Sequence, residues 1–396
     1  MEPQKTVGFL LKRVDCNDGV ASSCESLIRG LKALGWRVVL ITGSVNYDAG
    51  SVRRFEALKD LSEDWVILED LKPLFPTFGN INRINKLVKK YDICLFHVHG
   101  YAMLLLARIL KIITGVDCVA TFHPSIHGDD PTLLKEADLR SQIGKYQVFL
   151  KLFAPKAFIA FSSDIERFLL KDLGFQKTKV RKILAGIDPK YFRPPSPEER
   201  QRVREKFGFE EQDLVCSLVG RLNWNKGHDI LIDAVRQARN AVPEMSLKCL
   251  FVGSGNQEQQ IKEYAFASED DSHCFIFLGY VDELREVYWT SDIFALPSRS
   301  EGFALVVAEA MCCGTVPIRT PGGGALDQIE EGKTGYIVPF DDAEALSKAI
   351  QKLANQDLRL QMGKQCAEYA SSVFDLELMV KKTVELYCEC SGMETK

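Results

Sequence analysis

The sequence predicts an α/β protein made of two doubly wound, Rossmann-like domains whose strand ends face a central cleft. Three observations carry this. Short apolar, β-branched runs alternate with segments of helical periodicity through the first half. The same alternation restarts near residue 214. Between the halves lies FRPPSPEER (Phe192 to Arg200), with three prolines in the four positions from Pro194 to Pro197, the composition of an exposed linker.

Taken in order, VGFLL (Val7 to Leu11) reads as the first strand. A polar loop through Asp15 and Gly19 leads to an amphipathic helix over Ser22 to Trp36, and RVVLIT (Arg37 to Thr42) is the second strand. Asp92 to His97, Cys118 to Phe122 and Ala157 to Phe161 read as further buried strands. The second half repeats the scheme with strands at Leu214 to Gly220, Leu247 to Val252, Phe275 to Leu278, Ile293 to Leu296, Val316 to Arg319 and Gly335 to Val338. Helices are expected over Asp229 to Asn240, Leu284 to Ser291 and Ala304 to Cys313. The chain is thus expected to divide into a first Rossmann-like domain at 1–192 and a second at 193–375. A closing helix at 376–396 is free to pack back on the first. Ligands of such sheets bind just beyond the C-terminal strand ends, so a cleft between the halves is the default site.

Composition narrows the function classes. At 396 residues, 46% hydrophobic and 26% charged, the chain can bury two cores and has the make-up of a soluble globular protein. A net charge of -4 gives no general reason to expect nucleic acid as a partner. The apolar run Met103 to Thr114 is broken by Arg108 and Lys111, too early to span a bilayer. The start, MEPQKTVGFLLKRVD, has too short an apolar stretch for a signal peptide. A cytoplasmic protein is therefore expected. KYQVFLKLFAPK (Lys145 to Lys156) reads equally as a core helix or as a peripheral contact with a membrane. The twelve cysteines, many in apolar runs such as those of Cys94 and Cys249, read as reduced thiols. His97, His99, His123 and His127 lack the carboxylate pattern of a metal site, so no metal and no cofactor are expected. His97, His99 and His123 end strands and are expected to look into the cleft.

The chemistry concentrates in LPSRSEGFALVVAEAM (Leu296 to Met311). A strand ends at a polar turn, and a helix begins near Ala304. The free N–H groups around Phe303 to Leu305 suit a phosphate. Glu301 and Glu309 offer carboxylates able to accept two hydroxyl hydrogen bonds each, although the residues alone read equally as ordinary surface acids. GRLNWNKGHDIL (Gly220 to Leu231) likewise joins a strand to a helix, and its Arg221 and Lys226 suit a diphosphate. It lacks the spacing of a P-loop. Gly19 sits at a strand-to-helix turn where a side chain could obstruct a ligand, although a lone glycine there reads equally as a structural turn, and it lacks the G-x-G-x-x-G of a simple dinucleotide site. PGGGALDQI (Pro321 to Ile329) is a further glycine-rich turn of the same layout.

As an ordered series these motifs resemble the retaining glycosyltransferases of the GT-B fold, family four. The likeness is strongest from Gly220 to Ile350, in GRLNWNKGHDILIDA, FVGSG, LGYVDELREVYWTSDIFALPS, the Glu-x7-Glu of EGFALVVAE, and GGGALDQIEEGKTGYIVPFDDAEAL. In the first half it rests on Gly19, HVHG and TFH. The resemblance implies that a hexosyl unit moves from a nucleotide-diphosphate sugar, UDP-sugar above GDP- or ADP-sugar, to an acceptor hydroxyl. Arg221 and Lys226 would neutralise the diphosphate in place of a metal, and Glu309 would hold the ribose hydroxyls. Glu301, with backbone at Gly302, Phe303, Ala304 and Leu305, would grip the sugar and its β-phosphate. Val281 would meet the base, Gly19 would admit the diphosphate, and His123 would lie near the reacting face. Asn225, Ala304, Val306 and Asp327 depart from the family's usual residues, which leaves the donor sugar open. A nucleotide-sugar epimerase or hydrolase of this fold, or an idle binding protein, are the alternative functions. The acceptor, whether glycan, lipid or small metabolite, is not legible.

Overall fold

The computed structural model describes residues 5–393 apart from 17, 48–50, 69–70, 72–75, 101–102, 123–146, 269–270 and 272. These form two compact units: one holds the described residues up to Gly186 and those from Leu376 on, the other Ile187–Asp375.

The first unit is a seven-stranded parallel sheet. Its strands are β1 (Thr6–Asp15), β2 (Arg37–Asn46), β3 (Asp64–Ile67), β4 (Ile93–His99), β5 (Cys118–Phe122), β6 (Ala157–Ala160) and β7 (Val180–Lys182), in the order β3-β2-β1-β4-β5-β6-β7. Helices α1 (Gly19–Ala33), α2 (Val52–Leu61), α3 (Phe78–Tyr91), α4 (Leu104–Thr114) and α5 (Ser163–Arg167) belong to its connections. The central strands are largely buried and mostly apolar, as in Phe9 to Leu11 of β1 and Leu95 and Phe96 of β4, the pattern of a parallel sheet. Helix α1 starts three residues before its expected Ser22. The Asp18 side chain caps it by accepting from Ala21 N at 2.9 Å, a local signal stronger than the hydrophobic pattern. Of KYQVFLKLFAPK, the described part is helical at 147–152, with Leu150 in the core and Val148 and Leu152 exposed.

The C-terminal helix Leu376–Ser391 packs on α1, β4 and β5. Gly30 of α1 permits the contact, since a Cβ there would stand 2.3 Å from the Val380 side chain. The same helix supplies a partner for His97. His97, fully buried, pairs through Nδ1 with the Tyr387 hydroxyl at 2.5 Å and through Nε2 with the Thr121 hydroxyl at 2.6 Å. His99 is also buried, with the Cys24 thiol 3.7 Å from its Nδ1. Both are satisfied core residues, so the expectation that they look into a cleft is corrected. A buried imidazole needs partners; the C-terminal helix and β5 supply them to His97, and α1 supplies one to His99.

The second unit is a six-stranded parallel sheet. It comprises β8 (Leu214–Val219), β9 (Leu247–Val252), β10 (Phe275–Gly279), β11 (Ile293–Leu296), β12 (Val316–Arg319) and β13 (Tyr336–Ile337), in the order β10-β9-β8-β11-β12-β13. Its helices are α6 (Pro197–Phe207), α7 (His228–Ala241), α8 (Glu258–Ala265), α9 (Leu284–Thr290), α10 (Leu305–Cys312), α11 (Ala325–Gln328), α12 (Ala343–Leu353) and α13 (Gln356–Val373). The supposed linker is shorter than expected. Ser196 and Glu199 form a capping box and Pro197 occupies the first turn, so the last proline of FRPPSPEER starts α6.

All twelve cysteines are free thiols, eleven of them buried and Cys94 half-buried. Burial pushes the Cys16 and Cys94 thiols up to about 11. Neither has the depressed value of a nucleophilic thiolate. Among the described residues no helix is long and apolar enough to cross a membrane.

Candidate active site

Strand order fixes where ligands can sit. In each unit the chain winds outward from a central strand and then returns to its other side, between β1 and β4 in the first and between β8 and β11 in the second. The loops after these strands diverge and leave a crevice at the switch point. In the second unit those loops are Gly220 to Gly227 and Pro297 to Ala304, which carry Arg221, Lys226 and Glu301.

The loop after β8 is held by close backbone approach. Gly253 (φ 136°) permits one contact, since a Cβ there would stand 2.0 Å from the Gly220 carbonyl oxygen. Gly227 (φ 69°) permits another, with Pro297 O only 2.2 Å from where its Cβ would lie. Wedged between these neighbours, the loop closes in a short 3-10 turn, Trp224–Lys226, that delivers the lysine. Lys226 Nζ meets Glu301 Oε1 at 2.6 Å, the two side chains 24% and 9% exposed. Arg221, on the same loop, is exposed.

Burial is the largest influence on the Glu301 carboxyl and pushes it up, but the Lys226 ammonium, joined by the Arg319 charge, outweighs it. Glu301 is held below the ordinary carboxylate range, ionised and accepting only. Its folded value therefore lies below its unfolded one. The stability it contributes is present above the unfolded value, about 4.3, and is lost as pH falls through the folded one. Glu301→Gln is expected to shed the part of the acid-induced loss that Glu301 causes. Urea midpoints across pH 3–7 check this, and parallel profiles for variant and wild type would contradict it.

Glu301 is further fixed by the glycine-rich turn after β12. Gly323 N donates to Glu301 O at 3.2 Å, and a Cβ on Gly323 would stand 2.2 Å from Gly302 O. Arg319, fully buried, donates through Nη2 to the Gly322 and Gly323 carbonyls at 3.2 Å each, and through Nη1 to Gln328 Oε1. Gln328 Nε2 in turn donates to Ala304 O at 2.9 Å. Ala304 is the N-cap of α10 and brings no side-chain hydrogen bond. The N–H groups of the first turn are thus left to backbone or ligand acceptors. Gly302, Phe303 and Leu305 around it are half-buried. Glu309, in the second turn of α10 and 8% exposed, accepts from the Tyr288 hydroxyl at 2.7 Å. Burial, then the Glu309 charge, drives the Tyr288 phenol well above its ordinary range, so it stays a donor. Val281 is half-buried just beyond β10.

Gly19, in the first unit, opens α1 beyond β1 and is exposed. Among the described residues, its chain neighbours and its own helix backbone aside, no atom lies within 4 Å of where its Cβ would be, so these residues do not demand a glycine there. His123 lies outside the described residues, as do His127 and Asp129-Asp130.

Residues 199–372 match the family described as "Glycosyl transferases group 1", and residues 17–191 match "Glycosyltransferase Family 4". This chain is a family 4 glycosyltransferase. Its sheets and site loops have the GT-B architecture. A crystal structure of Anabaena HepE in complex with UDP superposes with a TM-score of 0.80 at 18% identity, over 97% of this chain and 100% of that one, a likeness of fold. The D-inositol 3-phosphate glycosyltransferase of Corynebacterium jeikeium is 32% identical over 53% of this chain and 52% of its own. The UDP-Gal:alpha-D-GlcNAc-diphosphoundecaprenol alpha-1,3-galactosyltransferase of Escherichia coli is 23% identical over 87% and 86%. The chain spans about half the length of several curated relatives it matches. Within this glycosyltransferase, sequence reasoning missed Arg299, Arg319, Tyr288 and Gln328. Each acts on a partner at least nine residues away, a distance that local patterns do not register.

Proposed function

We propose that this glycosyltransferase moves a hexosyl unit from a nucleotide-diphosphate sugar, UDP-sugar first, to an acceptor hydroxyl, retaining the anomeric configuration and using no metal. The Lys226–Glu301 pair at the switch point carries the reading: a cation suited to phosphate stands 2.6 Å from a carboxylate suited to hydroxyls. Two binding chemistries thus meet where a sugar diphosphate joins its own two parts. A relative named as a UDP-Gal galactosyltransferase, and a neighbour of the same fold in complex with UDP, support the donor class.

On this reading Arg221 and Lys226 neutralise charge as the diphosphate departs, the electrostatic term that dominates such transfers. The α10 N–H groups from Phe303 to Leu305 meet the β-phosphate. Ionised Glu301 accepts from sugar hydroxyls and Glu309, steadied by Tyr288, from ribose hydroxyls, while backbone at Val281 meets the base. Neither carboxylate is a nucleophile; the leaving phosphate takes the acceptor's proton from the attacking side. The roles that the resemblance gives Gly19 and His123 belong to the same proposal, as does a cytoplasmic site of action.

A ligand that binds only the folded chain must raise its stability, by about 2.7 kcal/mol at a hundredfold excess over Kd. UDP in EDTA is therefore expected to raise Tm. Silence with UDP, GDP and ADP, with or without magnesium, would remove the donor site. Incubation of each nucleotide sugar with acceptor mixtures then separates transfer from hydrolysis or epimerisation by product.

A further inference from the structure

Arg299 is 5% exposed, unusual for a residue whose charge belongs in water, and all three of its nitrogens are engaged. Nη1 donates to Trp224 O at 2.8 Å and Asp229 Oδ1 at 3.0 Å, and Nη2 to Asp229 Oδ2 at 2.7 Å. Nε stands 2.7 Å from Asp341 Oδ1, and the guanidinium carbon 3.7 Å over the centre of the Trp224 ring. The backbone joins in, Arg299 N donating to Asn225 O at 2.7 Å. Arg299, in the turn that follows β11, therefore grips the loop after β8 at 224, at 225 and at the first turn of α7, on both sides of Lys226.

The loop needs such a grip. Lysine is a point charge on a flexible stem, and the 3-10 turn that carries it has weak hydrogen bonds of its own. Gly227, in the left-handed region, then lets the chain swing into α7. We propose that Arg299 is a positioning residue for the donor diphosphate: its planar fork fixes the loop after β8 so that the Lys226 ammonium stands where the phosphates bind. This rests on the donor-site reading above. Asp229 and Asp341 balance the guanidinium, so Arg299 serves this role through geometry and not as a second phosphate cation.

Arg299→Lys keeps the charge and loses the fork. Calorimetric titration with UDP is expected to show affinity about ten-fold weaker, about 1.4 kcal/mol, with Tm nearly unchanged. A role in stability alone would move Tm and leave the UDP Kd of the folded protein intact, and that result overturns the inference. Asp341→Asn is the second arm, since Asp341 is half-exposed and loosens only the Nε contact. It is expected to weaken UDP binding by a smaller factor, and wild-type affinity in a folded Asp341→Asn protein, where Arg299→Lys fails to fold, overturns the inference as well. If wild-type protein binds no UDP, GDP or ADP, the donor-site reading falls and this inference with it. If wild type binds UDP and Arg299→Lys binds it equally well, only this inference falls.

Discussion

Lys226→Ala is expected to lower turnover by about 10²–10³-fold, the usual loss when one preorganised group facing developing charge is removed. Two losses combine. The diphosphate forfeits a cation, and Glu301, 8% exposed, forfeits the partner 2.6 Å away that outweighs its burial. Without Lys226 the Glu301 carboxyl rises, and a protonated Glu301 presents one oxygen as a donor where the sugar hydroxyls need acceptors. The variant should therefore regain part of its activity as pH is raised, while the wild type stays flat over the same range. Lys226→Arg, which keeps a charge but not a point charge, should fall between the two. Steady-state kinetics from pH 6 to 9 with the best donor test both parts. Unchanged kcat/KM in Lys226→Ala removes the lysine from the site. A large loss without pH-dependent recovery removes the link to Glu301 and leaves the phosphate role.

The parts of this site that were legible share one property: strand, turn and helix start follow one another in sequence. Glu301 could be placed because IFALPS ends a strand and FALVV opens a helix, and Lys226 because GRLNWNKG has the same layout. Both doubly wound sheets were visible for the same reason, since buried parallel strands are continuous apolar runs. Hidden features depend on what the chain meets after folding. Arg299 lies in a polar turn, and its sequence neighbours give no sign of Asp229 or Asp341. His97 and His99 were misread because strand ends attract ligands in this fold, whereas the partner that buries His97 is Tyr387, 290 residues on. The error at FRPPSPEER was local and avoidable, since Ser196, Pro197 and Glu199 already spell a helix start.

Arg319→Leu is expected to be the most destabilising single change near the site, by about 2–4 kcal/mol. Arg319 is fully buried at the end of β12. Its fork saturates the glycine-rich turn: Nε donates to Thr320 O at 3.2 Å, Nη2 to the Gly322 and Gly323 carbonyls, and Nη1 to Gln328. Leucine is shorter and has no donors, so several buried acceptors lose theirs at about 1–3 kcal/mol each. Relief from desolvating a cation offsets part of that sum, which keeps the net below the total. The damage should spread. Released Gln328 no longer anchors Ala304 O, so the start of α10 shifts, and Glu301 loses one of the positive charges that keep it ionised. UDP affinity should fall together with the urea midpoint, unlike Arg299→Lys, in which affinity falls and stability holds. Arg319→Lys should recover little, because one ammonium cannot reach carbonyls spread across the turn. A midpoint for Arg319→Leu within error of wild type would show that the turn holds its shape without the fork, and the coupling from β12 through Gln328 to the phosphate-binding helix would be lost with it.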